Sequence, residues 1–500
     1  MLFPAIPVAE LKCRINDASL YEPLDLTTRL WEAWTATGGA IGQSGAIAIP
    51  TANEISNSSN NDDETSNVES LLLFRAHHCM ADGVSLAALF VDLMDEGPEM
   101  QAEIQRQIRA YKKTKRSTPW WKKLLFFLYY WVWGSLKALA YQAYLFAASW
   151  YDQFAHDDPW MLLKAIYDEK RRTGSRSSTD DANANANTPS PRSLSWTTVA
   201  TVDEVKKVTQ FYTDVHKQQT GNKKSNKITI NDVFCSCVSA AIVKQLQYHR
   251  AVNPQLLHNT HVPPPASSND QQQQQQQQQL SLPSMNLIIP VHLQGGILLP
   301  GQSMGNKIGA MVSRIPGESL TKTFQKNKNN NMNNASTEHN DPAALAQERL
   351  IRVHSVLNER KQTPVAVLSY LMAGVMGYLS SSSSTDSNGS TSSSVGSSSW
   401  TPWLFRKAHA NASVVVTNVR GPESMVHMEG RPVHVFFGFL PLPAGVPVGL
   451  TVTSYDKRIN LTVTAEEWAV PDAERFLGWV RDEYELLKQR ADDEADASSS

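Results

Sequence analysis

Five polar tracts break the chain: Ala52 to Glu69, Thr173 to Arg192, His258 to Leu282, Lys326 to Asp341 and Ser380 to Ser399. They are made of Asn, Ser, Gln, Gly and acids, with too little apolar surface to offset the entropy of ordering. They are expected to be disordered loop insertions, so a fold must be built from what lies between them. What lies between them alternates strand-like and helix-like patterns, which predicts an α/β (or α+β) class.

The individual elements follow from periodicity. Leu71 to Ala76 predicts a strand and Val84 to Met94 a helix, with Leu86, Leu89, Phe90, Leu93 and Met94 at helical spacing. Ile228 to Gln247 predicts a helix, with Thr229, Asn231 and Asp232 as candidate caps. Asn286 to Leu293 and Ser413 to Val419 predict strands. Val448 to Thr464 predicts a hairpin turning near Asp456 and Lys457. The tract from Thr173 to Arg192 is the expected crossover between two lobes. The boundaries read as an N-terminal lobe at 1–119, an apolar segment at 120–151, a linker at 152–193, a C-terminal lobe at 194–484 and a disordered tail at 485–500.

A formal charge of -2 gives no global case for nucleic acid binding. Four cysteines, Cys13, Cys79, Cys235 and Cys237, are too few for a disulfide scaffold and fit a reducing compartment. The N-terminus turns polar early and lacks a basic stretch, so no secretory signal is expected.

The apolar segment "WWKKLLFFLYYWVWGSLKALAYQAYLFAASWY" has the length of a bilayer span. Lys137 near its middle would cost about 2.5–3.5 kcal/mol there. Its Trp and Tyr density suits a membrane interface. One crossing would also separate residues before and after it by a membrane. A helix lying in the interface, or a re-entrant hairpin bending at Gly134 and Ser135, is therefore the expectation.

The chemistry concentrates in "FRAHHCMADGVSLAALF", residues 74–90. Strand alternation puts Phe74, Ala76 and His78 on one face and Arg75 and His77 on the other. One histidine can then serve as a general base near neutral pH while the other is structural. Asp82 stands where it can cap the following helix or pair with an arginine to hold the loop. Gly83 permits a backbone angle or a close approach that a Cβ would block. A buried, hydrogen-bonded histidine pair is the bland alternative. A metal site of His77, His78, Cys79 and Asp82 is disfavoured, because adjacent strand residues diverge; no metal is expected. Cys79 reads as a small buried thiol rather than a nucleophile.

His77 to Gly83 match the HHxxxDG motif of acyl-CoA-dependent acyltransferases and condensation domains with the chloramphenicol acetyltransferase-like fold. Within that superfamily the chain resembles the wax ester synthase/diacylglycerol acyltransferase family. The resemblance rests on "PLDLTTRLWEAW" (23–34), "NDVFCSCVSAAI" (231–242), "NLIIPVHL" with "MGNKIGAMVSRIP" (304–316), "TNVRGPES" (417–424) and "VGLTVTSYDKRINLTVTAEEWAVPDAERF". Arg420 stands where the family has proline, and Asp456–Lys457 where its hairpin has glycine. Only 76 residues precede His77, so the first lobe is expected to be abbreviated or cut short.

The resemblance implies a two-lobed fold with mixed sheets flanked by helices and an active site between the lobes. It implies transfer of a fatty acyl group from acyl-CoA, a co-substrate, to a fatty alcohol or a diacylglycerol, with no cofactor. His78 would be the base, with His77, Asp82 and Gly83 shaping its loop. Gly83 would let backbone N–H groups approach an oxyanion. Asn231, Asn306 and Asn418 are the candidate substrate-binding residues, each with a bland alternative as a helix cap or turn residue. The setting implied is the cytosolic face of the endoplasmic reticulum or another intracellular membrane. The alternative is a lipid-binding or interaction protein without catalysis.

Overall fold

The computed structural model describes residues 31–37, 70–76, 82–115, 119–155, 160, 163–164, 167, 191–221, 226–252, 284–293, 305–316, 341–382, 412–443 and 445–499. The first part has two antiparallel strands, β1 (Trp31–Thr37) and β2 (Ser70–Ala76), in register from Trp31 opposite Ala76 to Thr37 opposite Ser70. Helices α1 (Gly83–Leu93) and α2 (Gly97–Lys115) follow. Next comes an unbroken helical rod: α3 (Trp120–Phe127), a π-helical turn (Leu128–Trp133) and α4 (Gly134–Ala155).

The second part is a six-stranded mixed sheet. Its strands are β3 (Arg192–Thr201), β4 (Met285–His292), β5 (Ile308–Ile315), β6 (Val414–Arg420), β9 (Val448–Tyr455) and β10 (Arg458–Glu466). A two-residue pair, β7 (His427–Met428) and β8 (Arg431–Pro432), forms a separate ladder. The order is β3-β10-β9-β6-β4-β5, with β6 parallel to both β4 and β9 and the remaining pairs antiparallel.

Alternation assigns the two faces of this sheet. Leu287, Ile289, Val414, Val416, Leu450, Val452, Leu461 and Val463 join the main core. That core is completed by α5 (Val202–Thr220), α6 (Ile230–Val252), α7 (Pro342–Lys361) and α9 (Ala473–Ser499). Ile288 and Val415 pack instead with Leu442 and Val446 from the chain between β8 and β9. The fully buried core residues Val238, Ile242, Leu350 and Phe476 stabilise by roughly 1.5–3 kcal/mol each.

The helix starts follow capping chemistry. Thr201 and Glu204 form a capping box at α5, and Gly221 ends that helix at φ 63°. Asp341 caps α7 ahead of Pro342. Asp456 and Lys457 turn the β9–β10 hairpin with φ of 46° and 61°, the two left-handed positions of a type I′ turn.

α8 (Val365–Ser382) lies against the edge strand β5. The Ser369 hydroxyl accepts the Ala310 N–H at 2.7 Å, and a Cβ on Gly309 would lie 1.8 Å from the Ala366 carbonyl oxygen. The edge is thus covered by backbone-to-backbone contact that requires glycine.

Several boundaries differ from the expectation. Arg192 opens β3, Asp341 caps a helix, and Ser380–Ser382 belong to α8, so three polar tracts are shorter than they read. The tail expected to be disordered from 485 is helical through Ser499, because Leu487 and Ala491 are buried. Trp160, read as linker, is buried in the main core and donates from Nε1 to the Ser413 carbonyl at 3.0 Å. The apolar segment does not bend at Gly134 and Ser135. Gly134 serves a close approach instead: a Cβ there would be 2.9 Å from Pro364 Cδ.

Candidate active site

Parallel strands β4 and β6 pair only at Leu287–Val414 and Ile288–Val415 among the described residues. Beyond that point β6 continues to Arg420 against β9, while β4 continues to His292 against β5. The sheet forks, and the N-terminus of α1 sits in the fork. Asp82, at its tip, is fully buried.

Asp82 is held from four directions. Its Oδ1 accepts the Ser85 N–H at 2.8 Å, which makes it the N-cap of α1. Its Oδ2 accepts the Lys307 N–H at 2.9 Å and lies 3.6 Å from His292 Nε2. Its own N–H donates to the Gly305 carbonyl at 3.3 Å, and the Ser85 hydroxyl donates to the same carbonyl at 3.0 Å. The cap reading of Asp82 is borne out in this geometry. Its loop partner is the 305–307 backbone rather than an arginine, because the buried carboxylate finds amide donors and a histidine at hand.

Gly83 has no positive φ, and a Cβ there would meet Val419 Cγ2 at an ordinary 3.5 Å. Neither expected reason for glycine applies among the described residues.

His77 and His78 lie outside the described residues, as does Cys79. The strand before them is placed: Phe74 packs edge-on against Phe90 of α1 at 5.4 Å, and Phe90 against Phe436 at 5.6 Å.

Asn418 on β6 donates from Nδ2 to Asn231 Oδ1 at 2.7 Å. Asn231 is not the cap of α6. Thr229 is: its N–H donates to Asp232 Oδ2 at 2.9 Å and its hydroxyl accepts the Asp232 N–H at 3.4 Å. Freed of the cap, the Asn231 side chain fastens α6 to the open end of β6. Asn306 is exposed between Gly305 and Lys307, the two residues that Asp82 holds. The described site residues fall on the two sides of β6: Asp82, Gly83 and the backbone around Asn306 gather on the face of Val419, and Asn418 bonds Asn231 on the face of the main core.

Two supports of this site were not singled out in the sequence. His292 ends a strand whose residues from Leu287 to Val291 are apolar, and a polar residue after that run was the available signal. Ser85 stands three residues after Asp82, the spacing of an N-cap and its partner.

Beneath Asn231, Asp232 is fully buried and receives His354 Nδ1 at 3.0 Å and Lys361 Nζ at 2.7 Å. Burial pushes its carboxyl up, but His354 and Lys361 outweigh this and hold it below the usual carboxylate range. Farther out, Glu96 accepts the His427 N–H at 2.8 Å and pairs with its Nδ1 at 2.6 Å, clasping α1–α2 to the β7–β8 turn. No cluster of three or more metal-ligating side chains occurs among the described residues.

Fold and site define an α/β protein whose mixed sheet opens around a helix N-terminus. Residues 332–488 match the family model of the WS/DGAT C-terminal domain. His77, His78, Asp82 and Asn306 lie outside that match, so it is independent of the HHxxxDG motif.

Among solved structures, the chain is similar to the wax ester synthase/diacylglycerol acyltransferase from Marinobacter aquaeolei VT8, at 15% identity over 66% of this chain and 57% of that one, with a TM-score of 0.31. It is similar to a trichothecene 15-O-acetyltransferase from Fusarium sporotrichioides, at 12% identity over 59% and 47%, with a TM-score of 0.32. It is also similar to the epimerization domain of a tyrocidine synthetase, at 12% identity over 84% and 68%, with a TM-score of 0.31. The chain spans less than two thirds of the length of the first of these. No curated protein matches it.

Proposed function

We propose that the protein transfers a fatty acyl group from acyl-CoA to the hydroxyl of a fatty alcohol or a diacylglycerol. The observation that carries this reading is the pairing of a WS/DGAT C-terminal domain with a fork-held α1 N-terminus directly after His77 and His78.

His78 takes the proton of the acceptor hydroxyl as the oxygen attacks the thioester carbonyl. The new C–O bond forms, the C–S bond breaks, and the CoA thiolate takes the proton back from His78. The turn at Gly83 offers backbone N–H groups to the developing oxyanion. Asp82 keeps that turn in place and takes no proton. His77 shapes the loop. Asn306, Asn418 and Asn231 border the fork where the substrates meet. No cofactor takes part, and acyl-CoA is the co-substrate. The acceptors are membrane lipids, so the protein works at the cytosolic face of the endoplasmic reticulum or another intracellular membrane, with residues 120–151 in contact with it.

The test is ester formation by a membrane fraction supplied with acyl-CoA, for wild type and His78→Ala. Removal of a general base is expected to cost about 10²–10⁴-fold. Equal rates would sink the base assignment. Neutral lipids from a lipid-free host, with and without fed fatty alcohol, separate the acceptors: wax ester only with feeding, triacylglycerol without it. Acyl-CoA binding with neither product would favour the lipid-binding alternative.

A further inference from the structure

The rod of α3, the π turn and α4 is attached to the protein along one narrow stripe. Tyr130, Gly134, Ala138, Tyr141, Leu145 and Ala148 recur at three- and four-residue steps and are buried or half-buried. Ala138 joins the main core and Gly134 meets Pro364, while the tyrosines meet polar parts of the second lobe. The Arg360 guanidinium stacks on the Tyr141 ring at 3.4 Å, the Tyr141 hydroxyl accepts the Arg314 N–H at 2.8 Å, and the Tyr130 hydroxyl donates to the Thr363 carbonyl at 3.4 Å.

The rest of the rod is apolar and exposed. Phe126 is 67% exposed, Leu139 63% and Phe146 67%, and Tyr129, Trp133 and Leu136 are exposed with them. α8, the helix that covers the edge strand, touches α4 and carries its own exposed apolar residues: Tyr370, Leu371, Met372 and Val375. An apolar surface of this extent marks an interaction site.

We infer that α8 and the α3–α4 rod together form one membrane-docking face, laid in the plane of a single leaflet and not passed through it. The inference rests on the membrane placement proposed above for residues 120–151, and adds to it a second helix and an orientation.

Three observations select a leaflet. Tyr141 lies within α4, and a span would carry its partners Arg360 and the β5 backbone into hydrocarbon, where unpaired polar groups are costly. One-sided attachment leaves the other side free to lie flat, and at 1.5 Å per residue the rod from Trp120 to Ala148 reaches about 44 Å along a surface. No Asp or Glu occurs from Ile104 to Tyr151 or from Arg360 to Thr385, whereas Lys122 and Lys137 stand by the rings of Trp121 and Trp133. That charge pattern fits anionic headgroups. A two-fold pairing of this face with a second copy would bring like-charged lysines toward one another.

The test uses the full chain purified in detergent and floated with phosphatidylcholine–phosphatidylserine vesicles. Wild type is expected to float. Leu371→Glu/Met372→Glu on α8 and Leu139→Glu/Phe146→Glu on α4 should each lower the bound fraction at least tenfold with an unchanged circular dichroism spectrum. Unchanged flotation of the α8 pair would remove α8 from the face. A pair that lowers only oligomer mass, with vesicle binding intact, would assign the face to a second copy and overturn the inference. On sealed vesicles, external protease should remove tags at both chain ends; protection of one end would mean a span. Flotation needs no turnover, so a chain that docks but makes no ester refutes the acyl-transfer reading alone.

Discussion

The Asp82 carboxylate accepts the Lys307 backbone N–H at 2.9 Å across 225 residues of sequence. This bond, made by the aspartate of the HHxxxDG motif, acts with the Asp82 N–H and Ser85 hydroxyl bonds to the Gly305 carbonyl to join the first lobe to the segment carrying Asn306.

Asp82→Ala removes the α1 cap, worth about 1 kcal/mol. It also leaves the Lys307 N–H unpaired, for about 1–3 kcal/mol more. A total loss of about 2–4 kcal/mol is expected by urea unfolding, with faster hydrogen exchange at the Lys307 amide. Loss of stability with an unchanged Lys307 amide would mean that the carboxylate serves only as a cap.

Asn231 and Asn418 should couple. Each alanine substitution removes the same 2.7 Å bond, so a double-mutant cycle should give about 0.5–1.5 kcal/mol of interaction energy. Strict additivity would show that the pair does not hold α6 to β6.

Two glycines, Gly309 facing α8 and Gly374 within it, predict opposite signs. Gly309→Ala drives a Cβ to 1.8 Å from the Ala366 carbonyl oxygen, and about 3 kcal/mol or more should be lost. Gly374 has nothing within 4 Å of its missing Cβ, so Gly374→Ala should gain about 0.5–1 kcal/mol by helix propensity. Denaturant midpoints of the two variants decide both.

Glu204 carries a pH signature. The Thr201 backbone N–H, the Thr201 hydroxyl and Lys488 outweigh partial burial and hold its pKa at about 2, below an ordinary 4.5. A lowered carboxyl pKa stabilises the fold above pH 4.5, and that contribution fades as pH falls toward 2. The difference in Tm between wild type and Glu204→Gln should therefore be present at pH 6 and close on acidification. A gap that persists unchanged at the acid end would contradict the assignment.

Much of the second lobe was legible because its signals are local. The alternation of "INLTVTA" and the Asp456–Lys457 turn place β9 and β10 within a residue or two. α8 was missed because an apolar helix exposed on one side shows no amphipathic period. The tail was misread because charged and polar residues predominate from Glu485 on, and among the described ones only Leu487 and Ala491 are buried. At the site, a capping Asp82 could be read from its neighbours. Its hold on the Lys307 amide and the fork between β4 and β6 could not, because both depend on pairings between distant segments. Of the three candidate caps Thr229, Asn231 and Asp232, spacing alone could not choose; the helix begins at Ile230, so Thr229 caps it and Asn231 is left to bond Asn418.

The first and last strands of the sheet are neighbours: β3 pairs with β10 from Arg192 opposite Glu466 to Thr201 opposite Arg458. The helix after β10 then reaches back to both ends of this lobe. The Tyr212 hydroxyl of α5 donates to the Leu487 carbonyl at 3.0 Å, and Arg490 meets Asp341, the cap of α7, at 3.3 Å. During synthesis β3 emerges long before its partner exists. It must wait until β10, more than 250 residues later, has left the ribosome. The stretch through Arg490 therefore closes the lobe: a chain lacking Leu487 and Arg490 would lose the contacts that tie this helix to α5 and to the cap of α7.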